Sequence, residues 1–292
     1  MRIAFLGFGL IAGSIARAVR ASTGTAGWTM TAWSPSGRGT ALAHAAGTID
    51  RAAATPSDAL QAADLVVLAA PVPACLAAME ELAAGLGSSL SWDAVVTDVA
   101  STKGALRRRA DDLGLRYVGG HPMAGLESTG YDSGRADLFA GRPWVVVPGR
   151  VATAADVARV VALARACGAE PIEMDAETHD EAVAGISHLP LLLSAALVEA
   201  VAGAGDDEAR AGWAVASGLA AGGWRDMTRL ARGDPPMGAG IAATNGPALA
   251  GRLRDFRAVL DRWQAELEAP GGPDAAAIEE RLRAARARLE ST

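Results

Sequence analysis

The first turn of the chain constrains the fold more than any other feature. Residues 2–6 form a short apolar run typical of a buried strand, and a helical pattern begins shortly after it. Between them the sequence reads GFGLIA over residues 7–12, which fits G-x-G-x-x-A. A glycine motif placed between a strand and a helix is typical of dinucleotide-binding domains. The sequence therefore predicts a nucleotide at this turn.

Each small residue of the motif has a physical purpose in such a turn. Gly7 permits the tight change of direction, Gly9 lets a pyrophosphate approach the backbone, and Ala12 lets the helix pack closely on the strand. The helix N-terminus then offers N–H groups and the positive end of its dipole to the phosphates. The alternative is a turn whose glycines only tighten the packing.

The strand–helix alternation continues to about Asp175 and then stops. Apolar runs that do not alternate with polar residues are typical of a mostly parallel sheet covered on both faces. From Ala176 onward the pattern is helical. We therefore predict an α/β, Rossmann-like dinucleotide-binding domain over residues 1–175 and an all-helical domain over residues 176–292. After the first strand, the strand-like runs are at 28–34, 65–71, 94–101, 116–120, 143–148 and the short segment EPIEM.

Charge and cysteine content narrow the class of partner. The formal net charge is −6 and no basic block is present, which argues against nucleic-acid binding. No uninterrupted apolar run reaches the roughly 18 residues of a membrane span. Cys75 and Cys167 lie far apart without a Cys/His cluster, so we expect reduced core cysteines and no metal site. These features predict a cytoplasmic protein with a small-molecule substrate and neither a nucleic-acid nor a membrane partner.

The loop after the second strand indicates which nucleotide is bound. An NAD enzyme carries an acidic residue there to bind the ribose 2′-hydroxyl, but no acidic residue occurs before Asp50. Instead, the hydroxyls of Ser34 and Ser36 and the cation of Arg38 suit a 2′-phosphate, so NADP is favoured and NAD stays possible. A solvated loop arginine is the alternative. The predicted cofactor-binding residues are Gly7, Gly9, Leu10, Ile11, Ser34, Ser36, Arg38, Pro71 and Ser101.

The stretch GGHPMAGLESTG at residues 119–130 holds one of only four histidines. His121 follows a predicted strand and is expected just past its end, at the carboxyl edge of the sheet where ligands of open α/β folds bind. A neutral imidazole is the common base for the hydroxyl proton in hydride transfer. Ser101 ends the preceding strand and is placed to hydrogen-bond the imidazole or the substrate hydroxyl. A structural histidine is the alternative for this residue taken alone.

Seven ordered segments extend these observations over nearly the whole chain. Together they resemble the prephenate/arogenate dehydrogenase family, and the last part is most similar to the cyanobacterial-type arogenate dehydrogenases, which favour NADP. The segments are GFGLIAGSIA, VVTDVASTKGAL, GGHPMAGLESTGY, DLFAGRPWVVVP, HDEAVAGISHLP, GGWRDMTRLARGDP and AATNGPAL.

The resemblance implies a reaction and a set of roles. The reaction is oxidative decarboxylation of arogenate or prephenate in tyrosine biosynthesis, in which hydride leaves C4 for the nicotinamide and loss of CO2 makes the ring aromatic. His121 is then the base, Ser101 its hydrogen-bonding companion and Arg229 the clamp on a substrate carboxylate. Arg225 lies four residues before Arg229, so on one helix both guanidiniums would face one cleft. Their alternative is an exposed basic helix face.

The resemblance also supplies weaker candidates. Glu127, His179 and Ser187 occupy family positions that we assign to substrate binding, although Glu127 has the alternative of positioning its loop. His179 has two alternatives, since it could also cap a helix or line the edge of the site. His188 is expected to be a hydrogen-bonded core or interface histidine. The helical domain of the family dimerises, and the apolar helix expected over residues 189–202 suits a homodimer core; intramolecular burial is the alternative.

Two departures from the family pattern leave the substrate open. Leu191 stands where many prephenate dehydrogenases have a histidine, and Gly238 where tryptophan is frequent. Both move the chain away from the prephenate-specific pattern, whereas Glu127 moves it towards that pattern. An enzyme acting on an amino-substituted prephenate in specialised metabolism is one alternative. A protein that binds NADP as a sensor without catalysis is another.

Overall fold

The computed structural model describes residues 1–126, 128–203 and 207–291, with side chains for all of these except residues 87 and 207–211. Eight strands lie in this described part. They are β1 Arg2–Leu6, β2 Thr29–Trp33, β3 Arg51–Ala52, β4 Leu65–Leu68, β5 Val95–Asp98, β6 Val118–Pro122, β7 Pro143–Pro148 and β8 Glu170–Glu173.

The strands form a mostly parallel arrangement. Five of them make a sheet in the order β3-β2-β1-β4-β5, in which every pair is parallel. The other three have the order β6-β7-β8, with β6 antiparallel to β7 and β7 parallel to β8. A parallel bridge between Val96 and Tyr117 places β6 beside β5. The predicted Rossmann-like, mostly parallel fold is confirmed, and β6–β7 is the antiparallel pair among the described strands.

Thirteen α-helices of the described residues surround and follow these strands. They are α1 Leu10–Ala21, α2 Arg38–Ala45, α3 Pro56–Leu60, α4 Val72–Ala83, α5 Gly104–Asp112, α6 Ala154–Ala166, α7 Ala176–Val183, α8 Leu189–Ala202, α9 Asp207–Leu219, α10 Gly222–Met227, α11 Pro235–Thr244, α12 Gly246–Leu267 and α13 Ala275–Glu290. A wide π-helical turn, Ala184–His188, joins α7 to α8, and a short 3-10 helix, Arg229–Arg232, follows α10.

The sheet is covered on both faces, which explains its apolar strands. All four residues of β4 are buried. One face carries a core that includes Phe5, Ile15 and Trp144, and the other a core that includes Leu60 and Met79. Fully burying a large apolar side chain stabilises a fold by roughly 1.5–3 kcal/mol. Both cysteines are free and buried within these cores.

The chain separates into two compact units, residues 1–246 and residues 247–292. In the second unit the Arg281 guanidinium lies 3.8 Å from the centre of the Trp263 ring, a cation–π contact between its two helices. The sequence-based boundary after Asp175 stays a prediction. Asp175 itself caps α7 by accepting a 2.7 Å hydrogen bond from the Thr178 amide.

One helical segment of the described chain, residues 176–202, is long and apolar enough to cross a membrane by length and composition alone. No uninterrupted apolar run of 18 residues occurs in this segment, because polar residues such as Ser194 and Glu199 interrupt it. Only 22% of its most apolar window is buried. Within α8 only Ser194 is buried. This helix therefore exposes an apolar surface.

Candidate active site

The corner after β1 leaves open room at the carboxyl edge of the sheet. Gly7 has φ +91°, and a Cβ there would lie 2.4 Å from the Ala69 carbonyl oxygen, so only glycine fits. A Cβ on Gly9 would meet no atom within 4 Å. Gly9 precedes α1 and supplies no side-chain cap to its amides. The corner thus combines free space with helix N–H donors, which suits a phosphate.

The end of β2 adds a second feature that fits a nucleotide. The Ser34 hydroxyl oxygen is buried and has no hydrogen-bond partner among the described residues. Gly37, with φ +63°, turns the chain into α2, whose first residue is the exposed Arg38. Buried polar groups are normally hydrogen-bonded, so the Ser34 oxygen is suited to a ligand hydroxyl or phosphate. The other predicted cofactor residues flank this edge: Leu10, Ile11 and Ser101 are half-buried, and Ser36 and Pro71 are exposed.

His121 lies within β6, as its fourth residue, and not just past the strand as expected. The strand continues because His121 pairs with Val145 and Pro122 with Trp144 of β7. The Val96–Tyr117 bridge sets the register with β5, so His121 lies beyond the last residue of that strand. It therefore lies at the carboxyl edge of the sheet, as does the β1 corner.

The two glycines before His121 make room for the protein itself. A Cβ on Gly120 would lie 2.6 Å from the Asp98 carbonyl oxygen, and one on Gly119 would lie 2.7 Å from the Tyr117 hydroxyl and 3.1 Å from Lys103 Cδ. Side chains alternate along a strand, so Gly119 and His121 face the same side. His121 thus shares its face with a buried polar cluster.

That cluster consists of Asp98, Lys103 and Tyr117, and all three are fully buried. The Lys103 ammonium pairs with one carboxylate oxygen of Asp98, and the Tyr117 hydroxyl donates a 2.5 Å hydrogen bond to the other. The Ala100 amide donates a further bond of 2.8 Å to this carboxylate. Each charge is thus paired and hydrogen-bonded, the condition under which burial is tolerated.

The imidazole of His121 contacts a second histidine. His121 Nδ1 lies 2.8 Å from His179 Nε2, and His179 Nδ1 lies 2.8 Å from a carboxylate oxygen of Asp180. The two rings meet edge to face. Ser101, the expected companion, makes no hydrogen bond to His121 among the described residues. His179 was expected at the substrate, but it is 1% exposed with both ring nitrogens engaged, so it lies behind His121.

Burial keeps His121 and His188 neutral. Burial first, and then the charge of Lys103, hold the pKa of His121 well below its ordinary value. Burial likewise lowers the pKa of His188 to about 4. His188 meets the Asn245 amide at 3.1 Å, which agrees with the expected core histidine. A neutral imidazole is the form that accepts a proton.

The two candidate arginines do not share one helix, contrary to expectation. Arg225 lies in α10 and Arg229 in the following 3-10 helix. The last α-helical bond runs from the Thr228 amide to the Trp224 carbonyl at 3.0 Å, and the Ala231 amide then donates to the Thr228 carbonyl at 3.2 Å in the tighter 3-10 pattern. The 3-10 segment then docks on α8 through the Ala231 amide and the Ser194 hydroxyl, 2.9 Å apart. Both arginines are exposed.

The segment after His121 returns to the nucleotide corner. Tyr131 packs on α1, where a Cβ on Gly13 would lie 2.8 Å from its ring and the Arg17 guanidinium lies 4.1 Å from the ring centre. Glu127 of this segment lies outside the described residues. Ser187 is exposed in the turn between α7 and α8.

Sequence reasoning missed several polar residues of this region. Asp180 accepts hydrogen bonds from the Lys103 and Gly104 amides, each 2.8 Å, and Asn245 donates to the Asp180 carbonyl at 2.7 Å. Two signals were available: Asp180 directly follows His179, and Lys103 is the only lysine of the chain. Neither signal shows which residues these side chains meet.

The sequence matches two profiles that adjoin each other. Residues 15–173 match the nucleotide-binding domain of prephenate dehydrogenase, and residues 175–280 match the prephenate dehydrogenase dimerization domain. The chain belongs to the prephenate dehydrogenase family. It therefore carries that family's nucleotide-binding and dimerization domains.

Members of the family resemble this chain over most of its length. The prephenate dehydrogenase of Bacillus subtilis is 30% identical over 91% of this chain and 70% of its own length. The cyclohexadienyl dehydrogenase of Zymomonas mobilis is 31% identical over 92% of this chain and 89% of its own length.

Solved structures of the family share the fold. The arogenate dehydrogenase of Synechocystis is 31% identical with a TM-score of 0.78, covering 99% of this chain and all of that one. The prephenate dehydrogenase of Aquifex aeolicus, solved with hydroxyphenyl propionate and NAD+, is 25% identical with a TM-score of 0.87, covering 100% of this chain and 98% of that one.

Proposed function

We propose that this chain catalyses the NADP-dependent oxidative decarboxylation of arogenate, prephenate or both, in tyrosine biosynthesis. The observation that carries the proposal is the neutral, buried imidazole of His121 at the same sheet edge as the open glycine corner. A sensor that only binds a nucleotide has no need of a base held in this way. Family membership supports the same reaction.

Separate residues of the chain bind the nucleotide and accept the substrate proton. The nicotinamide ring of the bound cofactor supplies the hydride acceptor. Gly7, Gly9 and Ser34 border the space that would hold the nucleotide. His121 accepts the proton of the substrate hydroxyl as the C4–H bond breaks, and loss of CO2 then leaves an aromatic ring. Burial of His121 favours this proton transfer, because a water-exposed imidazole would exchange its proton with solvent.

The remaining substrate contacts are proposals that rest on the family resemblance. Arg229 is the clamp for a substrate carboxylate, since a guanidinium binds a carboxylate with two parallel hydrogen bonds. Arg225, on the neighbouring helix, contributes positive charge to the same end of the substrate. Ser101 is assigned to the substrate hydroxyl, since His121 Nδ1 already has a partner. Glu127 and Ser187 are retained as substrate-binding positions.

Substitution of His121 tests the proposed function. For His121→Asn we expect turnover to fall by roughly 10²-fold or more, as for loss of a general base, while NADP affinity stays the same. Steady-state kinetics with arogenate and prephenate, together with fluorescence titration of NADP, measure both. His44→Gln is the matched control, because His44 is exposed in α2. Unchanged turnover in His121→Asn would remove this residue from the mechanism.

The preference for NADP has its own test. Ser34, Ser36 and Arg38 provide two hydroxyls and a cation where an NAD enzyme has a carboxylate. Losing a hydrogen bond to a charged group costs about 1.5–3 kcal/mol. Arg38→Gln should therefore weaken NADP binding by roughly 10-fold or more and leave NAD binding nearly unchanged. Equal loss of both affinities would contradict the proposed contact with the 2′-phosphate.

Leu191 and Gly238, the two departures from the family pattern, lie next to each other and bear on which substrate is preferred. A Cβ on Gly238 would lie 3.6 Å from Leu191 Cδ2, so a small and an apolar residue meet where other members have larger polar or aromatic groups. We propose that this feature favours arogenate over prephenate. Comparing kcat/KM for arogenate, prephenate and an amino-substituted prephenate decides the question. A higher value for either prephenate form would contradict the proposal.

We also propose a cytoplasmic homodimer. The support is the dimerization domain match together with α8, an apolar helix with a single buried residue. Covering such a surface with a second copy is the usual reason for its exposure. Light scattering should report twice the 29.6 kDa chain mass at micromolar concentration. A monomer would contradict the proposal.

A further inference from the structure

The proposed base is the first member of a hydrogen-bonded series. His121 Nδ1 meets His179 Nε2 at 2.8 Å, and His179 Nδ1 meets Asp180 Oδ1 at 2.8 Å. The Asp180 carboxylate is held in turn by the Lys103 and Gly104 amides at the start of α5, at 2.8 Å each. His179 is 1% exposed, and His121 and Asp180 are both buried. Every link is thus shielded from water.

The proton positions along the series follow from its last member. An ionised carboxylate only accepts hydrogen bonds, so His179 Nδ1 carries a proton and donates it to Asp180. If His179 is neutral, its Nε2 is an acceptor, and His121 Nδ1 must donate to it. The proton of His121 is then on Nδ1, and Nε2 holds the free lone pair. No other arrangement with a neutral His121 leaves Nε2 able to accept a substrate proton.

The carboxylate is suited to its place at the end of the series. Burial opposes ionisation of Asp180, but the hydrogen bonds from His179 and from the two α5 amides outweigh it, and the pKa of this carboxyl lies below its ordinary value. The ionised group therefore persists at neutral pH. When His121 takes up the substrate proton, its positive charge is offset through His179 by the charge of Asp180.

We propose that His179 and Asp180 form a positioning relay that fixes the tautomer and ring orientation of His121 for proton abstraction. In this role His179 acts through His121 and does not touch the substrate. The inference rests on the proposed function, because it needs His121 as the base. It replaces Ser101 as the partner of Nδ1 and gives Asp180 a role that the sequence did not suggest.

The tautomer itself is the most direct test, and it needs no substrate. The chain has only four histidines, so ¹⁵N-histidine NMR of the whole protein, assigned with His44→Gln and His121→Asn, resolves each ring. We expect both His121 and His179 in the neutral form with the proton on Nδ1. A proton on Nε2 of His121, or a charged His179, would overturn the relay. This result stands even if the substrate is not the one proposed.

Kinetics of relay variants form the second test. Asp180→Asn removes the negative charge that offsets a protonated His121, so kcat should fall by on the order of 10²-fold or more. His179→Leu should lose a similar factor, whereas His179→Gln offers an acceptor to Nδ1 and should lose only about 10-fold. KM and NADP affinity should stay close to the wild-type values in all three. Turnover within a few-fold of wild type in His179→Leu would overturn the proposal.

The pH profile separates positioning from a folding defect. The ionisable groups of the described residues around His121 are Asp98, Lys103, Tyr117, His179, Asp180 and His188. Only Asp180 changes charge in Asp180→Asn. Loss of this anion should lower the pKa of His121 and move the acidic limb of kcat/KM to lower pH. A uniform loss of activity with an unmoved limb and an unchanged His121 tautomer would assign Asp180 a purely structural role.

Discussion

Two glycine pairs, Gly7 and Gly9 after β1 and Gly119 and Gly120 in β6, differ in what an added side chain would meet. Gly9 faces space that no atom of the described protein enters within 4 Å of a Cβ, whereas Gly120 faces the Asp98 backbone at 2.6 Å. Of the first pair, Gly9 makes room for a ligand, whereas Gly7 is required by the nearby Ala69 carbonyl oxygen; the second pair makes room for the protein's own polar groups. Adding a methyl group should therefore affect binding at Gly9 and folding at the second pair.

The largest expected effect concerns the buried cluster of Asp98, Lys103 and Tyr117, which lies beside the glycines of β6. Lys103→Met removes the cation that pairs with the fully buried Asp98, which leaves the carboxylate uncompensated. Breaking a buried pair in this way costs roughly 3–5 kcal/mol, so the free energy of unfolding should fall by that amount. Urea denaturation measures it. Arg286→Met, which removes an exposed pair with Glu290, should change little. If the two variants were equally stable, Lys103 would not be a structural cation.

The next effect tests the packing at β6 directly. Gly120→Ala places a Cβ 2.6 Å from the Asp98 carbonyl oxygen and 3.0 Å from Trp144 Nε1, and neither atom lies at the end of a flexible chain. Overpacking of this kind costs about 1–3 kcal/mol. Thermal denaturation should show a lower Tm, whereas Gly218→Ala, in open space on α9, should not. An unchanged Tm for Gly120→Ala would mean that β6 can shift away from β5.

Acid should lower the free energy of unfolding through two buried histidines, His121 and His188. His121 and His188 are held neutral in the folded state, with the pKa of His188 at about 4. The unfolded chain protonates both near their ordinary pKa of 6.5, so it binds more protons than the folded chain as the pH falls from 6.5 towards 4. Stability is then lost by up to about 1.4 kcal/mol per pH unit for each proton.

Urea titrations at pH 7, 6 and 5 measure this slope. His188→Gln should reduce it by the contribution of one proton, while His44→Gln, at an exposed position, should leave it unchanged. Equal slopes in all three proteins would show that His188 does not stay neutral in the folded state.

The smallest expected change is at the first pair. Gly9→Ala meets no protein atom and has φ −111°, so the free energy of unfolding should stay the same. The added methyl group occupies the space through which a pyrophosphate would approach the backbone. We expect NADP affinity to fall by roughly 10-fold, equal to about 1.4 kcal/mol. Titration with NADP and a thermal melt measure both quantities. A lower free energy of unfolding with unchanged NADP affinity would mean that Gly9 makes room for the protein and not for a ligand.

The sequence by itself determined the class of fold and the kind of site. The apolar runs and the G-x-G-x-x-A turn predicted β1, β2, β4, β5, β6, β7 and β8 and a nucleotide corner after β1, because strand and turn signals are local in sequence. His121 was found for the same reason, since a histidine after two glycines is visible in one short segment. The family match agrees with these inferences.

Only the tertiary structure decided which groups His121 meets. His179 lies 58 residues away in sequence, and Asp180 is fixed by amides 76 and 77 residues before it. Packing of α7 against α5 and β6 brings them together, and no local pattern encodes that approach. The same holds for Arg225 and Arg229: spacing alone placed them on one helix, whereas the chain changes to a 3-10 helix that docks on Ser194 of α8. Contacts between distant segments depend on how whole helices and strands pack together, and the spacing of residues in the sequence does not show that packing.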